Sequence, residues 1–119
     1  MKHTLLSTIF LFSLTLVSFV TAANLRFLSD SPVSIFTKQD TKLMETNIYK
    51  ALDELADGQK LDWQSPTSKN RGRIAILRSF TKLQQQCREV QIFNQAKNQT
   101  GNSKFIFCKD KHNEWKLAD

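Results

Sequence analysis

A two-layer α+β domain is predicted: one N-terminal helix packed on a four- to five-stranded antiparallel meander sheet, tied by one disulfide. Three features of the sequence lead there. Apolar residues recur at helical spacing from Met44 to Leu55. Past Gly58 the chain breaks into short β-prone runs separated by turn residues. The two cysteines, Cys87 and Cys108, lie on neighbouring runs of that kind.

The cysteine-bearing runs, residues 87–93 and 104–108, flank the polar, Asn/Gly-rich stretch Asn94 to Asn102, which is read as the loop of a hairpin. With Cys87 opposite Cys108, Val90 faces Phe105 and Arg88 faces Phe107, while Glu89 and Ile106 share the other face with the cysteines. This register gathers the larger aromatic and β-branched side chains on one face, as a sheet with a single core requires.

The helix has a readable start. Thr37 is a good N-cap, and Asp40 three residues on completes an acidic variant of the capping box. Met44, Ile48, Ala51, Leu52 and Leu55 then form one apolar stripe, with Lys42, Glu45, Lys50, Asp53 and Glu54 largely elsewhere. Gly58 is expected to stop the helix as a left-handed C′ residue, giving residues 38–57. Before it, residues 24–28 form a short extended segment that tucks Leu25 and Phe27 or Leu28 onto the core, and residues 33–36 lead into the helix.

Residues 60–64 form a short strand anchored by Trp63. Residues 65–72 are a turn in which Pro66 fixes φ and Asn70 and Gly72 supply positive-φ positions. Residues 73–80 form a central strand, with Ile74, Ile76 and Arg78 on one face and Ala75, Leu77 and Ser79 on the other. Residues 81–86 turn into the cysteine hairpin, residues 109–113 turn again, and residues 114–117 are the last strand with Trp115 and Leu117 inward.

The start of the chain has a different character. Lys2 and His3 precede an uncharged apolar run from Leu5 to Val20, followed by the small residues Ala22 and Ala23. This is an export signal spanning residues 1–23, cut after Ala22 or Ala23; the competing reading is an uncleaved membrane anchor, for which the run is short of the ~20 residues a span wants. No cysteine follows the run, which excludes lipid anchoring there. Residues 24–119 make one domain. A chain of this size buries only about 60–68% of the surface its unfolded form exposes, so a cross-link helps. Two cysteines in an exported chain read as one structural disulfide, worth about 3 kcal/mol for a loop of this length. Neither Cys-x-x-Cys spacing nor an adjacent His supports a reactive thiol pair.

Seventeen Lys and Arg against eleven Asp and Glu give a net charge of +6 at pH 7. From Lys69 to Arg88 the chain carries Lys69, Arg71, Arg73, Arg78, Lys82 and Arg88 with no acid between them. Arg71 and Arg73 flank Gly72, so guanidinium groups beside free backbone N–H groups are placed to hold a phosphate or carboxylate. The competing reading is a solubilising charged face.

Several motifs together resemble a known family. They are Ala22-Ala23-Asn24-Leu25 with Phe27-Leu28 and Asp30-Ser31-Pro32, then Phe36-Thr37, Ala51-Leu52-Asp53 and Ala56-Asp57-Gly58. Further along come Trp63-x-x-Pro66-x-Ser68-x-Asn70-x-Gly72, Leu77-Arg78-Ser79-Phe80, Cys87-Arg88, and Cys108-Lys109 with Trp115 beyond. In order and spacing these resemble the bacterial outer-membrane surface antigens related to the rickettsial seventeen-kilodalton antigen, over essentially the whole chain after the leader. Ser65 stands where that family has Asn, Lys69 where it has Gly, and Asn113 where it has the Gly of a turn; Asn also tolerates positive φ. The lipidated cysteine and glycine-rich segment of longer members are missing. The resemblance implies an envelope domain with no catalytic site to carry over.

Catalytic chemistry finds little purchase. After the leader only His112 remains as a histidine, in a polar turn, and zinc wants three or four ligands. The acids from Asp53 to Asp62 are read as a solvated run. No cofactor or metal is expected. Nucleic acid is not an expected partner, because charge alone is no motif and Trp63, Phe80, Phe105, Phe107 and Trp115 fall where a core needs them. The expected role is non-catalytic: an exported domain, periplasmic or outer-membrane associated, that binds an anionic envelope component such as lipopolysaccharide, phospholipid or peptidoglycan. The candidate residues are Lys69, Arg71, Arg73, Arg78 and Arg88. The alternative is a periplasmic inhibitor of a secreted hydrolase, with residues 94–102 as the plug.

Overall fold

The computed structural model describes residues 32–118. The export signal and the extended segment expected over residues 24–28 lie outside the described residues. A short 3-10 turn, Pro32–Ile35, leads into helix α1, Lys38–Glu54. Five strands follow: β1 Lys60–Gln64, β2 Arg71–Lys82, β3 Gln85–Ala96, β4 Gln99–Lys109 and β5 Trp115–Leu117. They form one antiparallel sheet in the spatial order of the sequence, β1-β2-β3-β4-β5, so the α+β meander expected from the sequence is the observed fold.

The capping box forms as its residues dictate. The Asp40 amide donates to Thr37 Oγ1 at 3.1 Å, and the Thr37 amide donates to Asp40 Oδ2 at 3.1 Å. Met44, Ile48, Ala51 and Leu52 are buried along one stripe, against Trp63, Ile74, Ile76, Val90, Ile92, Phe107 and Trp115. Burying each of the larger of these contributes roughly 2 kcal/mol, so the helix face and sheet face stabilise each other more than either element's intrinsic propensity does. The Trp115 indole N–H also reaches back to Asp53 Oδ1 at 2.9 Å, pinning the short last strand beneath the helix.

The helix ends earlier than its sequence predicts. Leu55 is already extended at φ −83° and ψ 142°, and Gly58, at φ 84°, lies in the turn that follows instead of acting as C′. The cause is tertiary. Arg88 of β3 donates to the Leu52 and Leu55 carbonyls at 2.8 and 2.6 Å, drawing off acceptors that a longer helix would have used. The Gly58 amide meanwhile donates to the Ile76 carbonyl of β2.

The disulfide joins Cys87 and Cys108, which are direct cross-strand partners, and every neighbouring pair follows: Arg88 with Phe107, Glu89 with Ile106, Val90 with Phe105. The expected loop over residues 94–102 does not exist. Pairing continues through Asn94–Gly101 to Ala96–Gln99, leaving Lys97 and Asn98 as the turn, with Lys97 at φ 53°. The stretch stays extended because Asn94 and Ala96 are buried on the helix side and repay pairing. The rigid plug expected of an inhibitor is therefore a two-residue turn. The β2–β3 connection is likewise tighter than residues 81–86, with Leu83 and Gln84 both at positive φ, as in a type I′ turn. Asn113 does adopt positive φ, 63°, in the turn before β5.

Strand β2 runs longer than the expected residues 73–80 and carries a register shift between Ile76 and Arg78. One extra residue there reverses the alternation. Ile74 and Ile76 point to the core, but Arg78 crosses to the opposite face opposite Glu89, and Ser79 turns to the helix side opposite Arg88.

Gly72 also departs from expectation. It lies inside β2, and the positive φ of the preceding turn belongs to Lys69, at 64°, with Asn70 not at positive φ either. What Gly72 provides is room. A Cβ there would stand 2.4 Å from Trp63 Nε1 and 2.7 Å from Asn94 Oδ1. These two buried polar atoms have no hydrogen-bond partner among the described residues. One is a donor and the other an acceptor, and both converge on the space a side chain would fill. Gly72→Ala is expected to destabilise the fold by about 2 kcal/mol through overpacking, readable as a lowered urea midpoint at unchanged slope.

Candidate functional site

The helix and the 3-10 turn pack on one face of the sheet; among the described residues no element packs on the other. Strand alternation decides what that open face displays. The register aligns three rungs across β1 to β4: Lys60–Ala75–Gln91–Lys104, Asp62–Arg73–Phe93–Asn102 and Gln64–Arg71–Gln95–Thr100. Beyond the β2 irregularity the same face carries Arg78, Phe80, Glu89, Ile106 and the disulfide, with Lys116 opposite Cys108 on β5.

Around these rungs lies a half-open hollow of about 640 Å³, lined by Asp62, Trp63, Gln64, Arg71, Gly72, Arg73, Ala75, Gln91, Phe93 and Asn102. Its shape follows from side-chain size: Ala75 is short where its neighbours are long, and the half-buried Phe93 lines the hollow beside it. Arg73 is clamped by Asp62, Nε to Oδ1 at 2.6 Å and Nη2 to Oδ2 at 3.1 Å. That hydrogen bond is the main cause of a lowered Asp62 pKa; burial opposes it, and the charges of Arg73, Lys60 and Arg71 add to the lowering. The same contact raises the Arg73 pKa. Arg71 Nε donates to Gln95 Oε1 at 2.8 Å, and Gln91 Nε2 donates to Asn102 Oδ1 at 2.9 Å. Both side chains of the Arg73–Asp62 pair are about half exposed or more, so the pair contributes little to stability and remains open to a ligand.

The five candidate cations do not form one cluster. Arg71 and Arg73 are adjacent on the open face, and Lys69 is exposed in the turn that leads into β2. Arg78 is on the same face but further along, 4.3 Å over the Phe80 ring and 3.5 Å from Glu89. Phe80 is thus outside the main core where it was expected, and its ring supports Arg78 instead. Arg88 is on the opposite face, 7% exposed, with its donors committed to Leu52, Leu55, Ser79 and Asp57. It is a structural residue and leaves the anion-binding set. Lys60, Lys104 and Lys116 join that face instead, as do Asp62, Phe93, Gln91 and Asn102 at the hollow. Their signal in the sequence was strand parity, which points every second residue of each run outward.

The Trp63 to Gly72 motif proves to be scaffolding for this end of the sheet. Ser68 Oγ donates to both Asp40 carboxylate oxygens at 2.9 Å, and Asn70 Nδ2 donates to Oδ2 at 2.8 Å. Phe36 meets the Trp63 ring edge-on at a centroid distance of 5.5 Å. The β1–β2 turn is thereby locked to the start of the helix, and Arg71 leaves that turn with its backbone fixed.

His112 is exposed in the final turn, its amide donating to Asp110. Among the described residues no group of His, Cys, Asp and Glu is placed to hold a metal ion. No helix among them is long and apolar enough to cross a membrane. No family model, curated protein or solved structure matches the chain.

Proposed function

We propose that this chain is a non-catalytic cell-envelope domain, exported and periplasmic or outer-membrane associated, that binds an anionic envelope component through its uncovered sheet face. The observation that supports this is the segregation of charge across the sheet. Lys60, Arg71, Arg73, Arg78, Lys104 and Lys116 share the open face with Asp62 and Glu89, whereas Asp40, Asp53 and Asp57 are spent on the helix side, in its cap and its contacts to β2 and β5. Arg73, Arg78 and Lys116 are paired with Asp62, Glu89 and Glu114, but the cations outnumber the acids, and a face with that positive excess attracts anions over a distance of about a Debye length.

The reading is tested by co-sedimenting the leader-free protein with phosphatidylglycerol vesicles and with lipopolysaccharide across a salt series. Binding is expected to weaken steadily as salt rises. Charge reversal at Arg71→Glu together with Arg73→Glu is expected to reduce it at least tenfold, with the circular dichroism spectrum unchanged because both side chains are exposed. Undiminished binding by the double variant removes the proposal.

A further inference from the structure

We infer that the hollow over Phe93 is a saccharide-binding site, and that its ligand is a sugar ring carrying an acidic group, a carboxylate or a phosphate. This deepens the preceding proposal and rests on it. The grounds are what the hollow contains besides positive charge. A surface that recognises a polyanion by charge alone needs neither acceptors nor an aromatic ring. This one has both.

The middle rung places Asp62, Arg73, Phe93 and Asn102 side by side across four strands, a width of roughly 14 Å at the usual strand spacing. Phe93 offers an aromatic face to the C–H side of a pyranose ring. Ala75, in the next rung, leaves the depth such a ring occupies. The polar groups then divide their capacity in a telling way. Arg71 spends Nε on Gln95, and no hydrogen bond among the described residues occupies its two terminal nitrogens, a fork suited to a carboxylate or phosphate. Gln91 spends its amide nitrogen on Asn102 and keeps its carbonyl oxygen as an acceptor; Asn102 keeps its amide N–H groups as donors. Asp62 retains acceptor capacity beyond its clamp on Arg73. Alternating donors and acceptors around an aromatic ring match the hydroxyl and acetamido groups of a sugar. The arginine fork beside them selects an acidic one.

The test uses the leader-free, disulfide-intact protein in calorimetric and NMR titrations. The probes are an N-acetylmuramic-acid-containing disaccharide, a glucosamine disaccharide bearing phosphates, a neutral chitooligosaccharide, a single-stranded oligonucleotide and phosphatidylglycerol vesicles. At least one of the two acidic sugars is expected to bind, at least tenfold tighter than the neutral one, and which of them binds separates a carboxylate source from a phosphate source. The decisive variant is Ala75→Leu, which fills the hollow without altering any charge. It is expected to lose sugar binding at least tenfold while retaining vesicle binding. Phe93→Leu, which keeps bulk and removes the flat ring, is expected to act in the same direction, so that a folding defect in either variant alone does not decide the matter. Equal binding of neutral and acidic sugars, preference for the oligonucleotide, or unchanged sugar binding in both variants overturns the inference. Vesicles bound with no sugar bound overturns it while leaving the anion-binding reading standing. No probe bound at all overturns both.

Discussion

Replacing Arg88 with Met is expected to destabilise the domain by about 4 kcal/mol, the largest effect of any single substitution considered, with a fall in melting temperature of 15 °C or more for a domain of this size. Methionine retains the apolar stem and removes the guanidinium. That leaves the Leu52 carbonyl, buried at its contact, and the Leu55 carbonyl without their donors, and strands Asp57 beside Ser79 with one partner fewer. An unsatisfied buried acceptor costs about 1–3 kcal/mol; here one buried and one partly buried carbonyl lose their donor together, at a helix end whose dipole also favours a cation. Arg88→Lys is expected to fall between the two, since one ammonium cannot span acceptors on both sides of the helix end. Arg78→Met serves as the exposed comparison, because its ion pair with Glu89 is long and solvated, and it is expected to change stability by no more than about 0.5 kcal/mol. Urea denaturation followed by circular dichroism measures all three. An Arg88→Met midpoint indistinguishable from that of Arg78→Met would show that the helix end does not depend on this guanidinium.

Asp40→Ala is expected to cost about 3 kcal/mol. Its carboxylate closes the capping box at Thr37 and also receives Ser68 and Asn70 from the β1–β2 turn, so a single truncation uncaps the helix and unties the turn. Asp40 also predicts a pH dependence. Burial by itself would raise its pKa, but hydrogen bonds from Ser65, Asn70, the Thr37 amide and Ser68 outweigh burial and lower it from the usual 3.8 to about 2. A lowered folded-state pKa means that the unfolded chain takes up the proton first. The stabilisation is therefore complete above pH ~4 and is lost as pH falls from about 4 to about 2, amounting to about 2 kcal/mol. Asp57, Asp62 and Asp110 also have lowered pKa values, so the wild-type acid slope is not due to Asp40 alone. The difference between wild type and Asp40→Asn isolates it: the variant starts less stable at pH 7 and loses less on acidification. Parallel slopes for the two proteins would contradict this account of the carboxylate.

The cysteine hairpin shows how far local pattern reaches. Once Cys87 was set against Cys108, period-two alternation left no freedom, and Arg88–Phe107, Glu89–Ile106 and Val90–Phe105 followed. That same register put Arg88 on the face of Val90 and Phe107, the buried one. Its exclusion from the anion-binding set was thus already legible. Counting charges along the chain hid it, because a run of basic residues on strands alternates between two faces. Arg78 is the opposite case. Its face depends on the irregularity after Ile76, and nothing in the local pattern of Ile74, Ile76 and Arg78 announces an extra residue. The hollow over Phe93 draws on four strands at once, so its lining becomes visible only when all three inter-strand registers are known together.

Residue order alone was enough to specify the α+β meander, the capped start of the helix at Thr37, the core stripe from Met44 to Leu52 and the partner of each cysteine. These rest on interactions between near neighbours or on strict periodicity, and both are written in residue order. The helix end, the face taken by Arg78, the partners that hold Arg88 and the space kept open by Gly72 were set by tertiary contacts alone. Each of those outcomes depends on atoms brought together from distant positions: Arg88 with Leu52, Asn94 with Trp63, Ser68 with Asp40. A contact of that kind exists only once the sheet has closed against the helix, and no stretch of chain specifies it alone.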